Sequence, residues 1–394
     1  MRLTGLNSVP YPPILAYGFR PFFLLAGIYA VLTVPIWVIT LHGHDLSMMW
    51  LPAQIWHAHE MIFGFIIAAV AGFLLTAIPS WTGRRGFAGA PLFGLVLIWI
   101  AGRVVMTITT SLGPLMVAIV DMAFIPALTV TILPALIRSG NRRNLFFIAL
   151  LVSLFAANLH FHLSGSLLVA PLQFAINLIL VLVTVVAGRV IPAFTSAGLR
   201  QLGSDVGIRR NQLLDRMLIV ATIAVVVVDF ITPGSVIEGT LAMVTAVLFT
   251  VQLVRWQGWR LRSQPILWIL HLGYAWIPVA MLLKAIWLLG VPIPGTSWIH
   301  ALTMGAYSTM ILGIMSRASL GHTGRALIAP LTMVVGYYLL IAAGLGRVFG
   351  PILNLDHWRL WVSSAAILWC LSFLLFLFVF APILCSRRAD GRAG

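Results

Sequence analysis

The chain has 394 residues, of which 61% are hydrophobic and 8% charged, with a formal charge of +15. A mean hydropathy of +1.06 excludes an ordinary soluble domain, and apolar runs of about 20 residues, enough to cross a bilayer core, recur along the whole length. The positive charge does not point to nucleic acid, because the arginines are scattered in ones to fours between apolar runs, as in cytoplasmic loops.

These runs predict an all-α polytopic integral membrane protein, since the helix satisfies its own backbone in lipid. The first residues, "MRLTGLNSVPYPPILAYGFRPFF", lack a small-residue cleavage site after a short apolar core, so no removable leader is expected. A first helix is expected near 20–41. The second, near 55–79, opens on "WHAHEMIFGF", which puts His57, His59 and Glu60 in its first two turns. The third, near 90–110, carries Arg103, and the fourth, near 114–137, carries Asp121. The fifth, near 145–164, ends on "NLHFHLSG" with His160 and His162. The sixth and seventh, near 169–192 and 213–232, hold no histidine, and the seventh carries Asp229. An eighth is expected near 236–255. The ninth, near 265–289, holds His271 and Lys284, the only lysine. The tenth, near 298–316, opens with His300; the eleventh, near 327–349, carries Arg347; the twelfth lies near 360–384.

The connections alternate in charge. Arg84 and Arg85, then Arg138, Arg142 and Arg143, then Arg200, Arg209 and Arg210, then Arg255, Arg260 and Arg262, then Arg325, then Arg387 and Arg388 fall on one side. The loops on the other side carry no Lys or Arg, except Arg359 near Asp356. Together with Arg2 and Arg20, this predicts both termini in the cytoplasm. The whole chain, 1–394, reads as one transmembrane domain.

An internal repeat is visible. Counting from Gly72 and Gly313, Thr82-Gly83-Arg84 and Thr323-Gly324-Arg325 fall at identical offsets, and backwards Gly64 matches Gly305 and His59 matches His300. A weaker third copy runs from Gly188 to Arg200. Three four-helix repeats, 17–137, 145–255 and 265–384, account for this simply.

Ionisable groups at membrane depth are costly and usually paired or functional. Five histidines, His57, His59, His160, His162 and His300, are predicted near the outer surface. His57 and His59 lie about 200° apart around a helix and cannot face one site together. Glu60, three residues after His57, is placed to orient that ring. Imidazoles facing one another across a bundle suit iron or copper. His271 is open between a packing role and a cofactor. His42, His44 and His357 in outer loops, and His322 in an inner loop, read as polar caps. Arg103, Lys284, Arg347, Asp121 and Asp229 read as interfacial or mutually paired, or, for the cations, as holders of anionic groups. Cys370 and Cys385 read as apolar filler.

"GFRPFF", "WHAHEMIFGF", "AGFLLTAIPSWTGR", "LWILHLGYAW" and "TMILGIMSRASLGHTGR" together resemble the NnrS family over residues 17–380. The resemblance implies a twelve-helix bacterial inner-membrane protein containing haem and copper, linked to denitrification and to nitric oxide stress. It implies importance for His57, His59, Glu60, His271, His300 and His322. The arrangement is also similar to the catalytic subunit of haem–copper oxidases, in which helices two and ten hold a haem, although histidines on helices six and seven are missing here. The expected site is a b-type haem between His59 and His300, with His57 and Glu60 beside it, Arg103 and Lys284 as candidate cofactor-binding cations, and His160, His162 and His271 as copper candidates. Nitric oxide is the expected ligand and the bilayer the environment. If the protein is an enzyme, a haem-dependent oxidoreductase acting on nitric oxide is expected. The rivals are a proton-coupled transporter using Glu60, Asp121, Asp229 and histidines, and a non-catalytic sensing or assembly protein.

Overall fold

The computed structural model describes residues 11–44, 51–84, 86–108, 112–165, 168–204 and 207–392. Arg2, Arg85, the last two residues of the expected third helix and parts of the outer loops at 45–50, 111 and 166–167 lie outside them. Among the described residues, eleven helices are long and apolar enough to span a membrane: α1 Phe19–Leu41, α2 Ala53–Thr82, α3 Ala90–Ile108, α4 Pro114–Arg138, α5 Arg142–Leu163, α6 Ala170–Gln201, α8 Val236–Arg255, α9 Pro265–Leu288, α10 Thr296–His322, α11 Leu331–Leu353 and α12 Trp358–Cys385. The twelfth, α7 Gln212–Ile231, falls between α6 and α8. It carries Asp215, Arg216 and Asp229, more charge than its neighbours. The protein is therefore an all-helical, multi-pass membrane protein, as the hydropathy predicts.

The helix ends follow local chemistry. Asn211 caps α7, its side-chain oxygen accepting from the Leu213 and Leu214 amides at 3.1 Å. Ser235 caps α8, accepting from the Glu238 amide at 3.2 Å, while Glu238 reaches back to the Gly234 N–H at 2.8 Å. This is a variant of the capping box. The repeated Thr-Gly-Arg motif is a helix stop. Gly83 and Gly324 both adopt left-handed backbone, at φ 64 and 71, and the following arginine amides close onto Pro79 and Leu320 carbonyls at 3.1 and 3.0 Å.

Four helices run three or more residues past their expected ends: α2 to Thr82, α6 to Gln201, α10 to His322 and α11 to Leu353. Pro79 and Pro192 sit inside the first two without ending them, since buried neighbours in a membrane bundle tolerate the lost bond. His322 thus closes α10 instead of lying in a loop. Its ring stacks on Tyr17 at 6.2 Å between centroids, and its carbonyl accepts from Arg388 at 2.8 Å. Arg388 also pairs with Asp390 at 2.5 Å, which holds that carboxyl well below the usual carboxylate range. The fully buried Arg20 donates to the Leu384 and Ser386 carbonyls at 2.8 and 2.7 Å. The "GFRPFF" and "GHTGR" motifs and the C-terminal tail therefore form one interlocked end.

The chain packs as two compact units. One comprises residues 1–168, 315–327 and 376–394, the other residues 169–314 and 328–375. Each contains a stretch of π-helix that begins directly after a histidine: Glu60–Ile66 after His59, and Ala301–Ser308 after His300. The i→i+5 bonding of a π turn brings residues five apart into line, which puts Gly64 under His59 and Gly305 under His300. Both glycines receive an aromatic ring. A Cβ on Gly64 would collide with the Tyr29 ring, and one on Gly305 would lie 2.5 Å from the Trp276 indole. Gly305→Ala is therefore expected to destabilise the protein by about 1–3 kcal/mol through overpacking. Gly94→Ala, where the added methyl meets nothing within 4 Å, is expected to be neutral or stabilising. Thermal midpoints in detergent measure the contrast.

Candidate metal centre in the first unit

The first unit gathers charge where α2 and α4 begin and α3 and α5 finish. His59 and Glu60 are fully buried, and Asp121, Arg103 and Asn158 nearly so. His59 Nδ1 meets Glu60 Oε1 at 2.8 Å. Its Nε2 faces Asn158 Oδ1 at 3.0 Å and Asp121 Oδ2 at 3.3 Å. Arg103 donates to Glu60 at 2.7 Å and also to Asp121. The Tyr29 hydroxyl donates to the other Glu60 oxygen. Asn158 Nδ2 donates to Asp121 Oδ2 at 2.8 Å, and His162 Nε2 meets the same oxygen at 2.9 Å. Phe63 and Phe161 lie on His59 at 4.9 and 4.8 Å between ring centroids.

Both ring nitrogens of His59 face acceptors, a pattern that the imidazolium satisfies fully. The cluster is then balanced: Glu60 and Asp121 against Arg103 and His59. Such compensation is what a buried ionic group requires. One atom each from His59, Asp121 and His162 can also be chosen within 4.8 Å of one another, a spacing that could hold a metal ion. Two imidazoles and a carboxylate with positions left open match the donor set of non-haem iron sites.

The expected residues are sorted by this geometry. His57 and His59 do point apart, His57 stacking on Trp37 at 4.2 Å and 15°. Glu60 does not orient His57, however; it binds His59, its chain neighbour, from the first residue of the π segment. His162 joins the cluster, while His160 is exposed. Arg103 is engaged by two carboxylates. Asp121, read from sequence as interfacial or paired, lies at the centre. The available signal was its predicted depth, the same as that of the outer histidines.

The second unit builds a separate buried cluster. Lys284 lies between Asp229 at 3.0 Å and Glu238 at 2.6 Å, with its ammonium 4.3 Å from the Trp298 ring centroid. Gln173 and Asn177 donate to Asp229 at 3.0 and 2.6 Å. Lys284 is thus engaged as Arg103 is. His271 Nε2 meets Thr195 Oγ1 at 2.9 Å, and that hydroxyl donates to the Ile191 carbonyl at 2.8 Å. The proton is therefore on Nε2, and Nδ1 abuts Gly258, where even a Cβ would not fit. His271 Nδ1 is buried with no hydrogen-bond partner among the described residues. His300 Nδ1 donates to the Thr296 carbonyl at 2.8 Å, which places its lone pair on Nε2.

Fold and sites together define a polytopic helical membrane protein with ionic clusters buried in its bundle. The family model described as NnrS protein matches residues 13–388, nearly the whole chain, and the chain belongs to the NnrS family. At the level of the family, this is a nitric-oxide-related membrane protein. No curated protein matches the chain.

Proposed function

We propose that the chain is a bacterial inner-membrane protein of the nitric oxide response, with both termini cytoplasmic, acting through a first-row transition metal held by His59, Asp121 and His162. The observation that carries this is the convergence of two imidazoles and a carboxylate within 4.8 Å of one another inside the helix bundle. Iron or copper suits these donors; when bound, such an ion supplies redox chemistry and open positions for a small diatomic ligand. The chain's own groups do the rest. Glu60 holds His59 through Nδ1, as a carboxylate behind a ligating imidazole does. Arg103 balances both carboxylates. Asn158 must give way and the Nε2 proton must leave before an ion can bind, so loading is expected to strengthen as pH rises. Metal analysis and visible spectra of the detergent-purified protein test the reading. A stoichiometric first-row metal is expected; a folded, metal-free protein from metal-replete cells overturns it.

A b-type haem on His59 asks for more than a single ion does: besides Asn158 and the Nε2 proton, Phe63 and Phe161, which lie against the ring, would have to make way for a macrocycle. A haem on His300 alone is the second reading, favoured by the Nδ1–H bond to a backbone carbonyl, the usual way a ligating imidazole is fixed. It predicts a Soret band that His300→Ala abolishes and His59→Ala leaves in place. The transporter alternative asks for acids able to exchange protons, whereas Glu60, Asp121 and Asp229 are each bound to a cation.

A further inference from the structure

α10 and α11 repeat the local pattern of α2 and α3 with the acids removed. In the first unit a histidine opens a π segment, a glycine five residues on receives the Tyr29 ring, and Arg103 approaches the same glycine, its Cδ 3.3 Å from where a Gly64 Cβ would stand. In the second, His300 opens a π segment and Gly305 receives the Trp276 ring. The sequence Gly-Arg-Val, at 102–104 in α3, recurs at 346–348 in α11. The two helices touch at Gly344, where a Cβ would lie 3.8 Å from Gly305 Cα. Arg347 follows Gly344 by three residues, on nearly the same face and about 4.5 Å further along the axis. α11 runs antiparallel to α10, so this rise carries Arg347 towards the level of His300.

The difference between the copies is charge. Glu60 has Ala301 in its place, and no Asp or Glu occurs between Glu238 and Asp356. Arg103 has two carboxylates; Arg347, only partly exposed, has no acidic partner among the described residues. The acids nearest in sequence before it, Asp229 and Glu238, are engaged by Lys284. A guanidinium within a membrane helix and without a carboxylate partner is served by backbone carbonyls, by snorkelling to the interface or by an anion from outside the chain.

We propose that Arg347, on the helix that packs against the start of α10 and towards the level of His300, forms an oxyanion-binding site, taking a planar or tetrahedral group of the carboxylate, nitrite or phosphate kind. The guanidinium fork offers paired N–H donors to such a group, and the Trp276 ring lies against Gly344, three residues before Arg347. The inference does not rest on the metal reading, which concerns the other unit.

The test uses the full chain as purified, in detergent and then in nanodiscs. Calorimetric titration with nitrite, formate and inorganic phosphate, each against chloride at fixed ionic strength, is compared in wild type and Arg347→Gln. Saturable binding that weakens at least about tenfold in Arg347→Gln is expected. A free oxyanion and a lipid headgroup are distinguished by nanodiscs of phosphatidylglycerol against phosphatidylcholine: a thermal midpoint raised by phosphatidylglycerol in wild type alone assigns the group to lipid phosphate. No saturable binding and no lipid preference, or equal responses in wild type and Arg347→Gln, overturns the proposal and leaves Arg347 as an interfacial anchor. Should Arg347→Gln fail to fold, Arg347→Lys keeps the charge and loses the fork, and is expected to weaken binding while leaving the midpoint without anion unchanged.

Discussion

Arg103→Gln is expected to cost about 3–5 kcal/mol, because removing one partner of a buried ionic network leaves its counter-charges uncompensated. Two carboxylates would be stranded, Glu60 at 0% exposure and Asp121 at 3%, with His59 as their single remaining cation. The loss should appear as a much lower thermal midpoint in detergent and poor recovery from membranes. The informative comparison is the triple variant Arg103→Gln, Glu60→Gln, Asp121→Asn. It keeps the shapes and removes the charges, so most of the stability should return. Arg103→Gln as stable as wild type would show that Arg103 does not carry the charge balance of the cluster. A triple variant no better than Arg103→Gln would show that packing around the guanidinium, and not charge, holds these helices.

Hydropathy alone made the helices legible, because a bilayer leaves few alternatives to apolar runs of helical length. The Thr-Gly-Arg repeat was legible as a pattern, and its cause is the left-handed glycine that stops α2 and α10. The site was legible in part. His59 and His162 were marked by type and depth, but α-helical spacing assigned Glu60 to His57. The contact of Glu60 with its chain neighbour His59 is not one that helical spacing suggests, and a single sequence carries no periodicity signal for the π turn that follows. Asp121 reads from sequence only as interfacial or paired, because an acid near a helix end usually is. Its role depends on α3, α4 and α5 meeting α2, which is tertiary. The same holds for Lys284: its engagement by Asp229 and Glu238 comes from three helices and no local pattern.

His162→Ala is expected to remove most of the bound metal while leaving the protein folded. His162 stands at the edge of the cluster, bonded to Asp121 at 2.9 Å, and is not needed to balance Glu60 and Asp121. His59 is a poorer probe, since its loss also unbalances the acids. Even groups behind a metal ligand change affinity by about 10–100-fold, so losing a ligand should do at least as much. His160→Ala, two residues away and exposed, should leave the metal content unchanged, which separates the site from a general effect on α5. Asn158→Ala should act in the opposite direction. The Asn158 oxygen occupies His59 Nε2 at 3.0 Å, and its removal clears the nitrogen that the ion needs, so metal should bind more tightly than in wild type. Equal metal content in His162→Ala and wild type would sink the assignment. Loss of metal in Asn158→Ala would recast that amide as a holder of the site, and the ion would then lie outside the His59–Asp121–His162 triangle.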